Sequence, residues 1–576
     1  MSNLRLFLLL ALAMVGLQLW SAWQTDYGPK SESAAPAATT ATTATTAPAT
    51  GDASVPIANP GSGGADGEVP SAPTEGVAPP VVADAPTAAE AHDRRVLVAN
   101  DKLRLTVSTR GAEIRIAELL TYPISLQRRD VPIKLLNEEL ERYFVSQTGL
   151  VAADGRPAPT HTAEYAIDGD HFELADDANA VEAVFRWSDA SGIVVRKILR
   201  LERGSFVVQV RHEIENQSAA PWSGSQYRQM QRVPPPRPAA FAFNNPELYA
   251  YVGASVYSPD EKYQKLKFDD FAEEPYRRSF AGGWSAMQQH YFVGAWVPDV
   301  AEPTSYETSI LPPNGLLPTR YLMRQKSPVL TLAPGASGSV GARLYLGPKL
   351  QGQLPKVAEG LQYTVDYGMV AFIAQPLFWV LSWIHKLVGN WGLSIILLTL
   401  LVKLAFYRLS ESQYRSMAKM RRLQPRLEQL KERFGDDRQK MAQAQMDLFK
   451  QEKVNPIGGC LPLLLQLPVF FALYWVIFEA VELRQAPFFG WIADLSVKDP
   501  LYILPILNVA VMWYTQKLSP TPGMDPVQKK VLQTMPLVFG VLFAFFPAGL
   551  VLYWLSNGLL GLVQQVVITK RIESSK

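Results

Sequence analysis

The pattern of apolar and polar positions divides the chain into three kinds of stretch. Leu6 to Trp23 is a continuous apolar run near the N-terminus. From about Arg94 to Leu350, apolar and polar residues alternate in short runs. LRLTVSTRGAEIRIAEL breaks at Arg110-Gly111, and VVRKILRLERGSFVVQVRHEI breaks at Arg203-Gly204. Alternation at period two between glycine turns predicts antiparallel hairpins, and many of them in series predict a large β-sandwich. Beyond residue 350 the apolar runs lengthen again to helical, membrane-spanning size. Gly389 to Ser410, GNWGLSIILLTLLVKLAFYRLS, is long enough to cross a bilayer, which needs about 20 residues. Further spans are expected at Ile457–Phe478 and Leu501–Gln516, and Val531–Thr569 runs for 39 positions without a charge. That run is too long for one span, and Pro547-Ala548-Gly549 divides it into two. Leu501–Gln516 and Val531–Phe546 are only 16 residues each, which predicts local thinning of the bilayer unless neighbouring polar residues extend them.

The stretches between these runs set the organisation. Leu6–Trp23 reads as a retained anchor rather than a signal peptide, because Trp20 and Trp23 suit an interface and no A-x-A site follows. Pro29 to Asp93 is rich in Ala, Thr, Pro and Gly and cannot bury a core. The boundaries expected are an anchor over 1–28, a linker over 29–93, a β domain over 94–350 and an amphipathic interfacial helix region over 351–388. A separate span is the alternative for that last region. The second span covers 389–410, a helical hairpin 411–454, the remaining four spans 455–569 and a tail 570–576. The fold class is thus a membrane α-helical bundle of six spans beside a large antiparallel β-sandwich.

Charge fixes the topology. The net charge of +2 and the absence of a basic-aromatic pattern give no reason to expect a nucleic-acid sequence as partner. Locally the balance is different. Arg408 to Lys453 carries twelve Lys/Arg against seven Asp/Glu, with Leu423, Leu427, Leu430 and Phe434 at helical spacing and Met441, Ala444 and Leu448 after a turn at Gly435–Asp437. This predicts a cytoplasmic helical hairpin, since positive excess beside a span marks the cytoplasmic side. Periodicity alone leaves open whether it only fixes topology or serves as a docking arm. The short basic loop before Val531 and the tail KRIESSK lie on the same side, so both termini are expected inside.

Candidate chemistry is sparse. Cys460 is the single cysteine, cannot form an internal disulfide and reads as a small buried hydrophobe. His161, His171, His212 and His290 are scattered, with no nucleophile motif nearby, and read as surface or structural residues. No Cys/His cluster has metal-ligand spacing, and no cofactor is expected. The outlier is Lys403, an ammonium deep in an apolar run, where it costs about 2.5–3.5 kcal/mol unless it faces protein or water. It either snorkels to the interface or lines a wet face with Thr399, one turn earlier. A transporter would show an internal repeat, and an enzyme an acid/base constellation; neither pattern is present.

Several long stretches resemble a known family. SMAKMRRLQP, EKVNPIGGCLPLLLQLPVFFALY, ELRQAPF, DPLYILPIL and FPAGLVLYW are similar to the core of the YidC insertases, of the Oxa-type family. TRGAEI, YSPDEKY, GGWSAMQQHYF and VDYG…QPLFWVLSWIH resemble their long Gram-negative form. The resemblance implies a five-helix core around a hydrophilic groove open to cytoplasm and lipid, a periplasmic β-supersandwich and a cytoplasmic hairpin. It implies an inner-membrane insertase and chaperone without nucleotide hydrolysis or any chemical reaction. Its partners would be nascent membrane proteins, the translating ribosome, the Sec translocon with its accessory subunits, and the phospholipid bilayer. The groove cation is usually arginine, and Lys403 stands in its place. Thr399 matches the polar neighbour, and Trp554 an aromatic position that is often tyrosine. Gln466 and Asn557 are expected to complete the groove. Arg415, Lys419, Arg421, Arg422, Arg426, Lys529 and Lys530 are expected to form the cytoplasmic docking face. Arg408 replaces a common proline, so the second span is expected to run into the hairpin without a break.

Overall fold

The computed structural model describes residues 93–153, 155–235, 250–313, 315–434, 437–452, 461–518 and 526–574. The expected anchor over Leu6–Trp23, the linker and Cys460 lie outside the described residues. Alternating sequence builds two large sheets, of eleven and eight strands. They are antiparallel throughout except where Arg95–Ala99 runs parallel to His171–Glu173. Both glycine turns stand where the pattern breaks. Leu103–Ser108 pairs with Glu113–Pro123 across Gly111 (φ +73°), and Ile193–Glu202 pairs with Val207–Asn216 across Gly204 (φ +73°). Glycine is required at 111, because a Cβ there would meet the His161 carbonyl oxygen at 2.0 Å.

The inner faces of the two sheets meet in one apolar core. Leu199 and Leu201 lie opposite Val210 and Val208 and are fully buried. Polar residues interrupt this core at one level. Lys197 is paired in register with His212, and its Nζ donates to the carbonyls of Gly111 (2.8 Å) and Thr148 (2.9 Å). Nearby, Arg228 Nε donates to Gln226 Oε1 (2.7 Å), and Arg228 also meets Glu302 at 2.9 Å. Burial, then the neighbouring Lys197 and Arg228 charges, hold the His212 imidazole well below its ordinary value. Burial and then the Lys349 ammonium push His290 down to about 3. Of the four histidines singled out in the sequence, His161, His212 and His290 are buried and His171 is at the surface.

These shifts predict acid lability. Both histidines are neutral when folded and take up protons on unfolding below about pH 6.5. Their stabilisation is therefore complete above that value and declines as pH falls, by up to about 1.4 kcal/mol per pH unit for each. The unfolding temperature of the purified chain is expected to drop between pH 7 and pH 5, and to drop less in His212→Gln. An equal decline in the variant would contradict this account.

The helical part comprises α1 (Ala371–Val388), α2 (Trp391–Ala405), α3 (Tyr407–Arg422), α4 (Gln424–Phe434), α5 (Arg438–Gln451), α6 (Leu461–Glu479), α7 (Ile503–Leu518), α8 (Pro526–Phe543) and α9 (Ala548–Ser574). The break between α8 and α9 falls at Pro547, as the sequence indicates. Among the described residues, 368–388 and 548–571 are each long and apolar enough to cross a membrane. The pair α2–α3 adds a third such segment, bent by 65°. The bent pair corrects one expectation. Although Arg408 stands where a proline is common, the helix breaks at Phe406 (φ −92°, ψ 12°). The turn falls where apolar α2 gives way to charged α3, so a proline is not needed to make it. Region 351–388 holds α1, which buries Ala374, Phe378, Leu381 and Ile384 and exposes Phe372, Trp379, Trp383 and Leu387. Its exposed face is apolar, so the helix meets the length and composition of a span as well as those of the interfacial helix expected.

The charged hairpin folds on its apolar seam. Leu423, Leu427 and Leu448 are buried together, with Met420, Leu430 and Phe449 around them. The Asp437 side chain accepts from the backbone N–H of Gln439 and Lys440 (both 3.1 Å) and so caps α5.

Candidate substrate groove

Helices α2, α3, α6, α7 and α9 converge around a set of polar groups inside an otherwise apolar bundle. The stripe on α9 is Trp554, Asn557, Gly561 and Gln564, spaced to share one helical face. Gln466 on α6 reaches this stripe, its Nε2 donating to Asn557 Oδ1 at 2.6 Å. Lys403 on α2 is half-buried over Gly561: a Cβ added at Gly561 would lie 3.5 Å from Lys403 Nζ and 3.9 Å from Tyr414 Oη. Tyr414 on α3 donates to the Gly561 carbonyl at 3.0 Å, and Gln564 Nε2 donates to the Lys403 carbonyl at 3.3 Å. No carboxylate among the described residues lies within ion-pair distance of Lys403. A cation set between helices with no counter-ion keeps its charge available to a visiting group.

Unpaired polar atoms cluster in the same bundle. Trp554 Nε1, Asn508 Nδ2, Gln564 Oε1 and Gln565 Oε1 are buried with no hydrogen-bond partner among the described residues. A buried polar group with no partner costs about 1–3 kcal/mol, so such groups mark where water or a ligand supplies the missing bonds. The Trp554 ring packs against Phe470 (4.8 Å) and Phe543 (5.4 Å), which fixes the direction of its N–H.

The structure therefore brings Lys403, Gln466, Trp554 and Asn557 into one bundle interior. Thr399 is placed differently. It is 1% exposed, and its hydroxyl donates to the Ile395 carbonyl of its own helix at 2.7 Å. Its hydroxyl proton is thus committed within α2 rather than offered to a groove. Tyr414, Tyr553 and the Gln564–Gln565 pair escaped the sequence reading, and Asn508 stood out there only as a polar residue within Leu501–Gln516. The glutamines were visible as polar positions on the Trp554–Asn557 face, whereas Tyr414 sits in a charged block that gave it no distinction.

The docking residues lie apart from this interior. Arg415, Lys419, Arg422, Arg426 and Lys530 are exposed. Arg415 pairs with Glu411 at 3.1 Å, and Arg426 pairs with Glu452 across the hairpin. Arg421 lies on α3 and Lys529 on α8; their side chains fall outside the description.

Comparison with known proteins matches the sequence over nearly the full chain. The YidC periplasmic domain family model matches residues 95–380, and the 60Kd inner membrane protein family model matches residues 383–575. A membrane protein insertase YidC of Thioalkalivibrio sulfidiphilus is 45% identical, covering 100% of this chain and 99% of its own. The chain belongs to the YidC family of membrane protein insertases. A YidC insertase of Nitrosococcus oceani is 44% identical over 100% of this chain and 99% of its own. A solved structure described as an active YidC insertase with its first transmembrane domain resolved is 18% identical, with a TM-score of 0.39, covering 82% of this chain and 92% of its own. Family membership places the chain in an inner membrane, with the β domain in the periplasm.

Proposed function

We propose that this chain inserts nascent membrane proteins by holding a translocating polar segment in the groove between α2, α6 and α9 while the following apolar helix enters lipid. The observation that carries this reading is the Lys403 ammonium over Gly561, beside the Gln466–Asn557 pair and the buried Trp554 N–H, the ammonium without an ion-pair partner and the N–H without a hydrogen-bond partner among the described residues. Together they give an apolar bundle a polar interior suited to a hydrated, acidic tail. Burial of the substrate's apolar surface supplies the driving force, at roughly 25 cal/mol per Å². The membrane potential assists acidic tails at about 2.3 kcal/mol per charge per 100 mV. No step in this scheme forms or breaks a covalent bond.

The exposed basic face of Arg415, Lys419, Arg422, Arg426 and Lys530, with Arg421 and Lys529 on the same helices, is the proposed receiving surface for a ribosome or its nascent chain. Ion pairing of Arg415 and Arg426 within the protein leaves Lys419, Arg422 and Lys530 as the stronger docking candidates. In this reading both termini are cytoplasmic, as the positive excess of the flanking loops suggests, and the chain works alone or beside the Sec translocon. Photoreactive residues at positions 466 and 554 test the groove: they are expected to capture the polar tail of a substrate arrested during insertion.

A further inference from the structure

Strand alternation puts Lys197 and His212 where apolar residues belong. Both face inward, in line with Val195, Leu199 and Leu201 on one strand and with Val208, Val210 and Ile214 on the next. The facing sheet presents Gln226 and Arg228 on the inward side of Trp222–Arg232, in line with Met230. All four polar residues are 0% exposed. Their layer splits the sandwich interior. Ile193, Val195, Ile214 and Trp222 lie in one apolar cluster, and Leu199, Val210 and Met230 lie in another.

Register holds these groups together. Lys197 is paired with His212, and Arg228 with Thr148, whose carbonyl accepts from Lys197 Nζ. The Gln226 amide joins the other two. Arg228 Nε can only donate, so the Gln226 atom it meets at 2.7 Å is the carbonyl oxygen. The amide nitrogen therefore faces His212 Nδ1, at 2.8 Å, and donates to it. A neutral imidazole whose Nδ1 accepts carries its proton on Nε2. That N–H has no partner among the described residues, and neither does Arg228 Nη1. The Lys197 ammonium has a third N–H beyond its bonds to the Gly111 and Thr148 carbonyls.

Charge is uneven in the same place. Arg228 pairs with Glu302 at 2.9 Å and Arg115 with Glu113 at 2.9 Å, which leaves Lys197 with no ion pair among the described residues. Burial pulls its ammonium down to about 7, against a weaker upward pull from Glu113. An unpaired buried charge is costly, and so is a buried donor without an acceptor. The Gln226 oxygen, His212 Nδ1 and the Gly111 and Thr148 carbonyls already accept hydrogen bonds. A water would need acceptors for its own protons, whereas an anion needs donors only.

We infer that the β-sandwich binds a halide-sized monovalent anion, chloride in ordinary buffers, between its two sheets, held by Lys197 Nζ, His212 Nε2–H and Arg228 Nη1–H. The anion balances the Lys197 charge and takes donors from both sheets, so it ties one sheet to the other. The site serves the stability of the domain and is independent of the groove reading.

The test uses the purified full chain in detergent, dialysed into sodium chloride, sodium bromide or sodium gluconate at equal ionic strength. Hydrogen exchange of residues 193–216 and 222–232 is followed by mass spectrometry. Exchange is expected to be about tenfold slower in either halide than in gluconate, which corresponds to free anion at about nine times its dissociation constant. Lys197→Met keeps the side-chain length, loses the charge and is expected to exchange equally in all three salts. Crystals grown in bromide are expected to show an anomalous peak among the three donors. Equal exchange of the wild type in all three salts would overturn the site. So would a halide effect undiminished in Lys197→Met, or a bromide map with peaks at the surface alone. If Lys197→Met does not fold, the wild-type comparison and the bromide map still decide.

Discussion

Lys403→Glu is expected to reduce insertion of a substrate with an acidic translocated tail by roughly tenfold, a change of about 1.4 kcal/mol in the barrier. Two unit charges 4 Å apart near a protein surface interact by about 4 kcal/mol, so the expected loss needs only part of one contact. Lys403→Ala removes the attraction without adding repulsion and is expected to cost less. A substrate with a basic tail reverses the order, because the introduced carboxylate attracts it. Liposomes containing each purified variant, scored by protease protection of the tail, measure all three. Equal insertion by wild type, Lys403→Ala and Lys403→Glu would remove Lys403 from the mechanism and leave a side chain that only snorkels. The geometry favours the first outcome: Nζ lies over Gly561 and beside Tyr414, toward the bundle interior.

The second large effect is on stability, at the outer end of α2. Asn390 caps this helix, its Oδ1 accepting from the Leu393 N–H at 3.0 Å, while its Nδ2 reaches the Phe488 carbonyl at 3.3 Å. Gly392 then lets the helix lie directly on the Phe488 ring: a Cβ at 392 would meet Phe488 Cδ2 at 2.1 Å and Phe488 Cβ at 3.0 Å. Rotating the ring relieves the first clash but not the second, so Gly392→Val must part the helix from the loop. A cost of about 3 kcal/mol is expected, at the upper end for overpacking. Gly352→Val is the control, since a Cβ there meets nothing within 4 Å. Thermal unfolding in detergent should separate the two variants by several degrees. Equal unfolding temperatures would show that the α2–loop contact is not maintained.

Much of this architecture is legible in sequence because it depends on local periodicity. Alternation marked the strands, and the glycines at 111 and 204 marked turns whose backbone requires them. The leucine stripe at 423, 427 and 448 marked the hairpin seam. Lys403 stood out because a charge in an apolar run has no cheap structural explanation. What sequence could not supply was contact between distant segments. The Gln466–Asn557 bond spans 91 positions and the His290–Phe478 contact 188, and neither residue pair carries a local pattern. The bend at Phe406 is hidden for a related reason. No helix-breaking residue marks it, and the Tyr414–Gly561 bond that accompanies it joins residues 147 positions apart. Thr399 shows the converse limit. Helical spacing put it on the face of Lys403, yet its hydroxyl turns back onto its own helix.

The central claim is that a translocating polar tail passes through the interior between α2, α6 and α9. The direct measurement places a photoreactive residue at Gln466, at Trp554 or at the exposed Leu559 of α9, which is 45% accessible. A single-span substrate with an acidic tail is arrested at successive lengths during insertion into liposomes containing the purified chain. The account predicts that the tail is captured at 466 and 554 at intermediate lengths, and that the substrate's apolar helix is captured at 559. Capture of the tail at 559 with none at 466 or 554, at any length, would contradict it.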